Sequence, residues 1–286
     1  MSKPEDPPFP LGVPTSCFAH LDDGPKPSAT SASDDGGNKV VIDGRPNPVE
    51  GVFDSRLDKD DDIFRELLEV TADDSARPVP LRTFVEDAVS VCLILTGTFN
   101  SSKRLLFQGP EESDESLGLL GWVISPVFQL LRDKSFGMHV SGFYEYQVDL
   151  SFYELYDEMV TDLLQPENQN LNVKLHPMRG FEVEGLSKTP ILSNSDGVRA
   201  IASGKRNRRT QVMQNGPAQE SSSAVLELSL TQREGDSPDQ YTYLHSQLVL
   251  VEVASTHKLI QSPDDLRLKQ GPTLNRSLLA FREVRR

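Results

Sequence analysis

The chain has 286 residues, 37% of them hydrophobic, and a formal net charge of −14. That length suits one sizeable core, with or without unpacked ends, and the charge argues against the whole molecule as a nucleic-acid binder. No run approaches the roughly 18 apolar residues that cross a bilayer, and the opening MSKPEDPPFPLG lacks the apolar stretch of a secretory signal, so the expected setting is soluble and cytoplasmic, with no membrane.

Residues 1–38 are rich in Pro, Ser, Asp and Gly without hydrophobic periodicity, which predicts a disordered acidic tail. Residues 1–90 carry 19 acidic and 9 basic side chains, so most of the excess negative charge sits here and reads as solvated surface. Cys17 falls in the tail and Cys92 in an apolar run. Two cysteines so placed build neither a disulfide framework nor a thiolate zinc site, and the five histidines show no metal-ligand spacing. The expected globular domain covers 39–286. KVVID, from Lys39, predicts a strand. DKDDDIFRELLEVT predicts a helix, with Ile63, Leu67, Leu68 and Val70 on one face and acids at its positive N-terminal end. The run Val89 to Leu95 reads as a buried strand. GLLGWVISPVFQLLRD reads as helix, and HVSGFYEYQVDLSFYELYD as aromatic-rich strand. SDGVRAIASGKRNRR reads as a helix closed by Gly204, with KRNRR as its solvated basic end. SSAVLELSLTQ and SQLVLVEVAS alternate as strands, and TLNRSLLAFREVRR, just after Gly271 and Pro272, is an amphipathic helix. Strands and helices mixed along one chain predict an α/β fold, a central mixed sheet with helices on both faces.

Between the apolar run and the following helix lies LTGTFNSSKRLLF. A strand, a glycine and a small polar loop closing on lysine is the order of a phosphate-binding loop, G-x-x-x-x-G-K-[ST]. Here it reads Gly97, Thr98, Phe99, Asn100, Ser101, Ser102, Lys103, Arg104. The first glycine and the lysine stand in place. Ser102 replaces the second glycine and puts a Cβ where backbone N–H groups approach a phosphate. Arg104 replaces the hydroxyl residue that ligates magnesium. Taken alone, Lys103 reads as a solvated lysine.

Three later stretches settle which loop this resembles. SFYELYDEMVTDLL, Ser151 to Leu164, resembles the kinesin motor-domain pattern Ser-aromatic-x-Glu-(Ile/Leu)-Tyr-(Asn/Asp)-Glu-x-Val-x-Asp-Leu-Leu. LNVKLHPMRGFEVEGLSKTPI, Leu171 to Ile191, resembles the hairpin that follows it, and LKQGPTLNRSLLAF, Leu268 to Phe281, the start of the relay helix. The resemblance runs from about Gly51 to Arg286 in the family's order. It implies a P-loop motor fold, ATP and Mg as cofactors, and microtubules as partner. It also implies that Gly97 to Arg104 is the family's phosphate loop.

Counting from the match at Asn207 and Arg208, the first switch pattern, Asn-x-x-Ser-Ser-Arg-Ser-His, falls on Gly216 to Ser223. Its last three positions are Ser221, Ser222 and Ser223, and Ser222 alone matches. The second switch, Asp-Leu-Ala-Gly-x-Glu, falls on Glu252 to His257. Glu252 stands for the aspartate, Ser255 for the glycine that senses the γ-phosphate, and Ser221 and His257 for the two partners of the inter-switch salt bridge. No Arg-x-Arg-Pro strand precedes Gly51 at the family's spacing, and the chain stops inside the relay helix. The expectation is a motor domain incomplete at its C-terminal end: either a partial chain or isoform, or a remnant whose fold a protein partner completes. The implied activity is a degenerate ATP site, an inactive or severely impaired ATPase, on a non-motile module that binds microtubules or the cytoskeleton in the cytoplasm. An active ATP-dependent microtubule motor and a P-loop scaffold without a microtubule role are the alternatives. Residues 266–286 hold six basic side chains against Glu283 alone, and Arg267, Lys269, Arg276, Arg282, Arg285 and Arg286 are the candidate tubulin-facing charges.

Overall fold

A computed structural model describes residues 18–21, 29–34, 37–42, 45–48, 51–54, 59–68, 79–97, 103–111, 113, 115–139, 142–156, 158–176, 180–213 and 222–254. The chain divides into two units at Lys59. In the first, β1 (Phe18–Leu21), β2 (Ala29–Asp34), β3 (Gly37–Ile42), β4 (Arg45–Pro48) and β5 (Gly51–Asp54) form two small sheets. β2, β3 and β4 make an antiparallel meander, and β1 pairs with β5 in parallel. β1 and β2 fall inside the segment that composition reads as a tail. The ladder of a meander is made by main-chain groups, which polar and small side chains such as those of ATSASD permit without an apolar run. KVVID falls within and just past β3.

The second unit runs α1 (Asp60–Leu68), α2 (Pro80–Val85), β6 (Val91–Leu95), α3 (Lys103–Gln108), α4 (Gly118–Trp122), α5 (Ile124–His139), β7 (Phe143–Tyr156), β8 (Met159–Asp162), β9 (Val173–His176), β10 (Gly180–Val183), β11 (Thr189–Ile191), α6 (Asn194–Met213), β12 (Ser223–Ser237) and β13 (Gln240–Glu252). Its principal sheet has the order β11-β7-β12-β13-β6, with β8 also on β7. Every pairing is antiparallel except β13 with β6, so the sheet is mixed, as the sequence predicts. β9 and β10 form the separate hairpin expected after the Ser151 to Leu164 stretch.

Strand alternation assigns the two faces. Val148, Leu150 and Phe152 of β7, Leu226, Leu228 and Leu230 of β12, and Leu248 and Leu250 of β13 share one face, fully buried or nearly so, and join one core with side chains from all six described helices. Tyr153, Val249, Val251, Cys92 and Ile94 lie on the opposite face and are partly or largely exposed.

Three expectations change here. Val89 to Leu95 is not a buried strand: β6 ends the sheet order among the described residues, with Val89 51% and Ile94 43% exposed. An apolar run alone does not distinguish a central strand from an edge strand. The last two strands are also longer than their apolar parts, because β12 and β13 continue as a polar hairpin through Gly235 to the turn at Pro238 and Asp239. Finally, Gly204 does not close its helix. α6 continues to Met213, and Gly204 lies where an added Cβ would collide with the ring of Phe152. The glycine is a packing requirement between helix and sheet, not a stop signal. TLNRSLLAFREVRR lies outside the described residues.

Candidate nucleotide site

The ends of β6 and β13 lie side by side because the two strands pair in parallel. Leu95 stands opposite Glu252, and the Val253 N–H donates to the Leu95 carbonyl at 2.9 Å. This brings the described end of the phosphate-loop stretch, Gly97, beside the second-switch stretch. Lys103 opens α3, is buried at 8% exposure, and donates from Nζ to the Val253 carbonyl. Arg104, the next residue, turns away and forms an ion pair with Glu111, beyond the end of α3. The two consecutive cations thus part: Lys103 reaches a main-chain carbonyl and Arg104 a local carboxylate.

Behind this pair lies a cluster that sequence reasoning missed. Arg208 of α6 has no exposed surface. Its Nε donates to Glu154 Oε1 at 3.0 Å, and its Nη1 donates to Glu252 Oε2 and to Gln108 Oε1, each at 2.9 Å. Its Nη2 donates to Ser222 Oγ at 3.2 Å, and Ser222 in turn hydrogen-bonds Glu154. Burial opposes the charge on Arg208, but the carboxylates of Glu252 and Glu154 outweigh it and hold the guanidinium above its ordinary pKa. One turn earlier, Lys205 is 2% exposed and donates to the carbonyls of Pro110, Ser113 and Ser116 at 2.6, 2.7 and 3.1 Å. Arg209 donates to the Glu111 carbonyl, and Asn207 to the Leu163 carbonyl at 2.7 Å.

KRNRR is thus not a solvated helix end. Positions three apart share a helix face, so Lys205 and Arg208 face inward together, and burying their charges is offset by carbonyls and carboxylates already held by neighbouring elements. The one legible signal was Glu154. It has the strand parity of Val148, Leu150 and Phe152, a carboxylate on the core face that requires a cation.

Of the switch positions, Ser222, Ser223 and Glu252 are brought together: Ser223 Oγ accepts from the Ala254 N–H at 2.9 Å, beside Glu252. Thr98, Phe99, Asn100, Ser101, Ser102, Ser221, Ser255 and His257 lie outside the described residues, as do Arg267, Lys269, Arg276, Arg282, Arg285 and Arg286. Among the described residues, no group of three or more His, Cys, Asp and Glu is arranged to hold a metal ion.

The model of the kinesin motor domain family matches residues 53–285. The chain belongs to the kinesin motor-domain family. It is 28% identical to the kinesin-like protein KIF1A of Rattus norvegicus over 201 residues, covering 69% of this chain and 11% of that protein. With the kinesin-like protein KIF1B of Homo sapiens it shares 27% identity over 259 residues, 87% of this chain and 14% of the relative. With the mitochondrial kinesin-like protein KIN-7D of Arabidopsis thaliana it shares 29% over 213 residues, 74% of this chain and 19% of the relative. The chain therefore spans less than a fifth of these curated relatives. A solved structure of a fast kinesin superposes with a TM-score of 0.69 at 20% identity, covering 91% of this chain and 71% of that one, and supports the motor fold.

Proposed function

We propose that this kinesin-like chain carries a degenerate ATP site and serves as a non-motile module that binds microtubules or the cytoskeleton in the cytoplasm. Kinesin motor domains bind ATP with magnesium and associate with microtubules, and membership alone would favour an active motor. The observation that carries the degenerate reading is the disposition of three side chains. At the position of the magnesium hydroxyl, Arg104 presents a cation, ion-paired with Glu111. Glu252, in the place of the switch aspartate, is engaged by the buried Arg208 at 2.9 Å. Lys103 bonds the Val253 carbonyl. A guanidinium turned to Glu111 offers no oxygen to a metal ion, and a carboxylate already paired with a cation gains little by ligating another. These residues do not fit a magnesium ion. Without the ion, the charge that develops on the β- and γ-phosphates lacks its main stabiliser, a loss of several kcal/mol in the transition state.

The test is phosphate release by the full chain with ATP, magnesium and microtubules. We expect rates indistinguishable from the no-protein background. Turnover at ~1–100 s⁻¹, the range of working phosphoryl-transfer enzymes, would establish the motor reading instead. Ser102→Gly with Arg104→Thr should not restore turnover, because Glu252 would remain engaged with Arg208. Absence of any microtubule pelleting would leave the scaffold reading.

A further inference from the structure

We infer that Arg208 is a built-in counter-cation of this site: its guanidinium supplies the positive charge for Glu252 and Glu154, so that Glu252 is not a metal ligand in this chain. The inference rests on the degenerate-site reading for the role assigned to Glu252, and on the geometry for everything else. Arg208 is fully buried, and its fork reaches four side chains from four elements or their ends: Gln108 at the end of α3, Glu154 on β7, Ser222 at the start of β12 and Glu252 at the end of β13. Two carboxylates at 5% and 2% side-chain exposure have little water around them, and Arg208 is the cation beside both. The planar guanidinium meets both at once, which a lysine ammonium on one flexible stem would not. Ser222 completes the arrangement by bonding both Arg208 and Glu154. A second cation, Lys103, bonds the carbonyl of Val253, the residue after Glu252.

A metal ion and Arg208 are therefore alternatives for the same carboxylate, and Mn²⁺ alone, titrated into the full chain while its free electron paramagnetic resonance signal is read, separates them. The wild type and Glu252→Gln should leave equal free Mn²⁺ signals across the titration. Arg208→Gln leaves two buried carboxylates facing each other, so its Tm should fall by about 6–20 °C. It should also bind Mn²⁺ at least tenfold more tightly than the wild type, and recover part of the lost Tm as the ion is added. Adding Glu252→Gln to Arg208→Gln should abolish that binding. A role of Arg208 in packing alone would lower Tm without creating a Mn²⁺ site and would overturn the inference. Should Arg208→Gln not fold, the first pair decides: wild-type Mn²⁺ binding that Glu252→Gln weakens tenfold overturns the inference, and equal signals support it. The outcome is separable from that of the turnover assay. ATP turnover without Glu252-dependent Mn²⁺ binding would remove the degenerate-site reading and leave the ion pair's charge role standing. Glu252-dependent Mn²⁺ binding without turnover would do the reverse.

Discussion

The start of α6 shows how much a few polar atoms decide. Ser193, the residue before the helix, accepts the Asp196 N–H on Oγ at 3.3 Å and donates its hydroxyl to Asp196 Oδ2 at 2.7 Å, while the Leu192 N–H donates to the same oxygen at 3.2 Å. This is a reciprocal cap that satisfies N–H groups the helix cannot. The Ser193 hydroxyl, then Arg199 and the Leu192 N–H, hold the Asp196 carboxyl below its ordinary pKa against the opposing effect of burial. A depressed carboxylate pKa contributes stability that is present above the unfolded value, roughly pH 4, and is lost as pH falls through the folded value. Asp196→Asn should therefore lower Tm at pH 7, with the difference closing as pH drops below about 4. A difference that persists undiminished at low pH would mean the carboxylate charge is not what matters. Ser193→Ala should cost about 1 kcal/mol. Further along the helix, Gly204→Ala discriminates packing from propensity. On propensity alone alanine would gain up to about 1 kcal/mol, but its Cβ would strike the Phe152 ring and lie 3.4 Å from Leu164 Cδ2. The expected result of urea denaturation is a loss of about 1–3 kcal/mol, and a gain would refute the close approach.

At the scale of elements, the sheet is unequal across its width. β12 is paired along its length with β7 on one side and β13 on the other, and Leu226, Leu228 and Leu230 have no exposed surface. β6 pairs with β13 over five residues and alternates between half-buried and exposed. Truncating Leu228 to alanine should cost about 2–5 kcal/mol, by lost transfer energy and a cavity. Ile94→Ala, at 43% exposure, should cost well under half of that. Equal costs in matched denaturation curves would show that β6 is buried in solution. The loop 110–116 is likewise an element held from outside itself, because Lys205 gathers three of its carbonyls and Arg209 a fourth. Lys205→Met should raise hydrogen exchange in 109–118 more than in β12.

For the molecule as a whole, charge is the organising quantity. The net charge of −14 coexists with six basic residues in 266–286, and the proposed tubulin association would run through that patch. Exposed charges are screened over ~8 Å at physiological ionic strength. Cosedimentation with microtubules should therefore be weak and fall as salt rises, and under the proposed degenerate site it should be the same with ATP and ADP, since such a site has no differential state to transmit. Changing Arg276, Arg282 and Arg285 to Glu should abolish it. Equal pelleting of variant and wild type would dismiss the patch, and pelleting that depends on the nucleotide would dismiss the uncoupled reading.

The α/β class, α1, the helix before β7, the strand core of β12 and β13, and the ordered motifs of a kinesin motor domain are all set by local pattern: apolar period, turn residues and spacing carry them without reference to distant neighbours. Lys103 and Arg104 were legible in the same way, as positions in a motif. Their partners were not. Arg208 lies 54 residues from Glu154 and 44 from Glu252, and nothing in KRNRR tells a solvated helix end from a helix face turned inward. That choice belongs to the close approach of α6 to Phe152 through Gly204, and to the sheet register that sets Glu252 opposite Leu95. A charge is read from the chain as an identity. Whether it is solvated, paired or displaces a metal ion depends on the dielectric and the oxygens around it, and only tertiary packing supplies those.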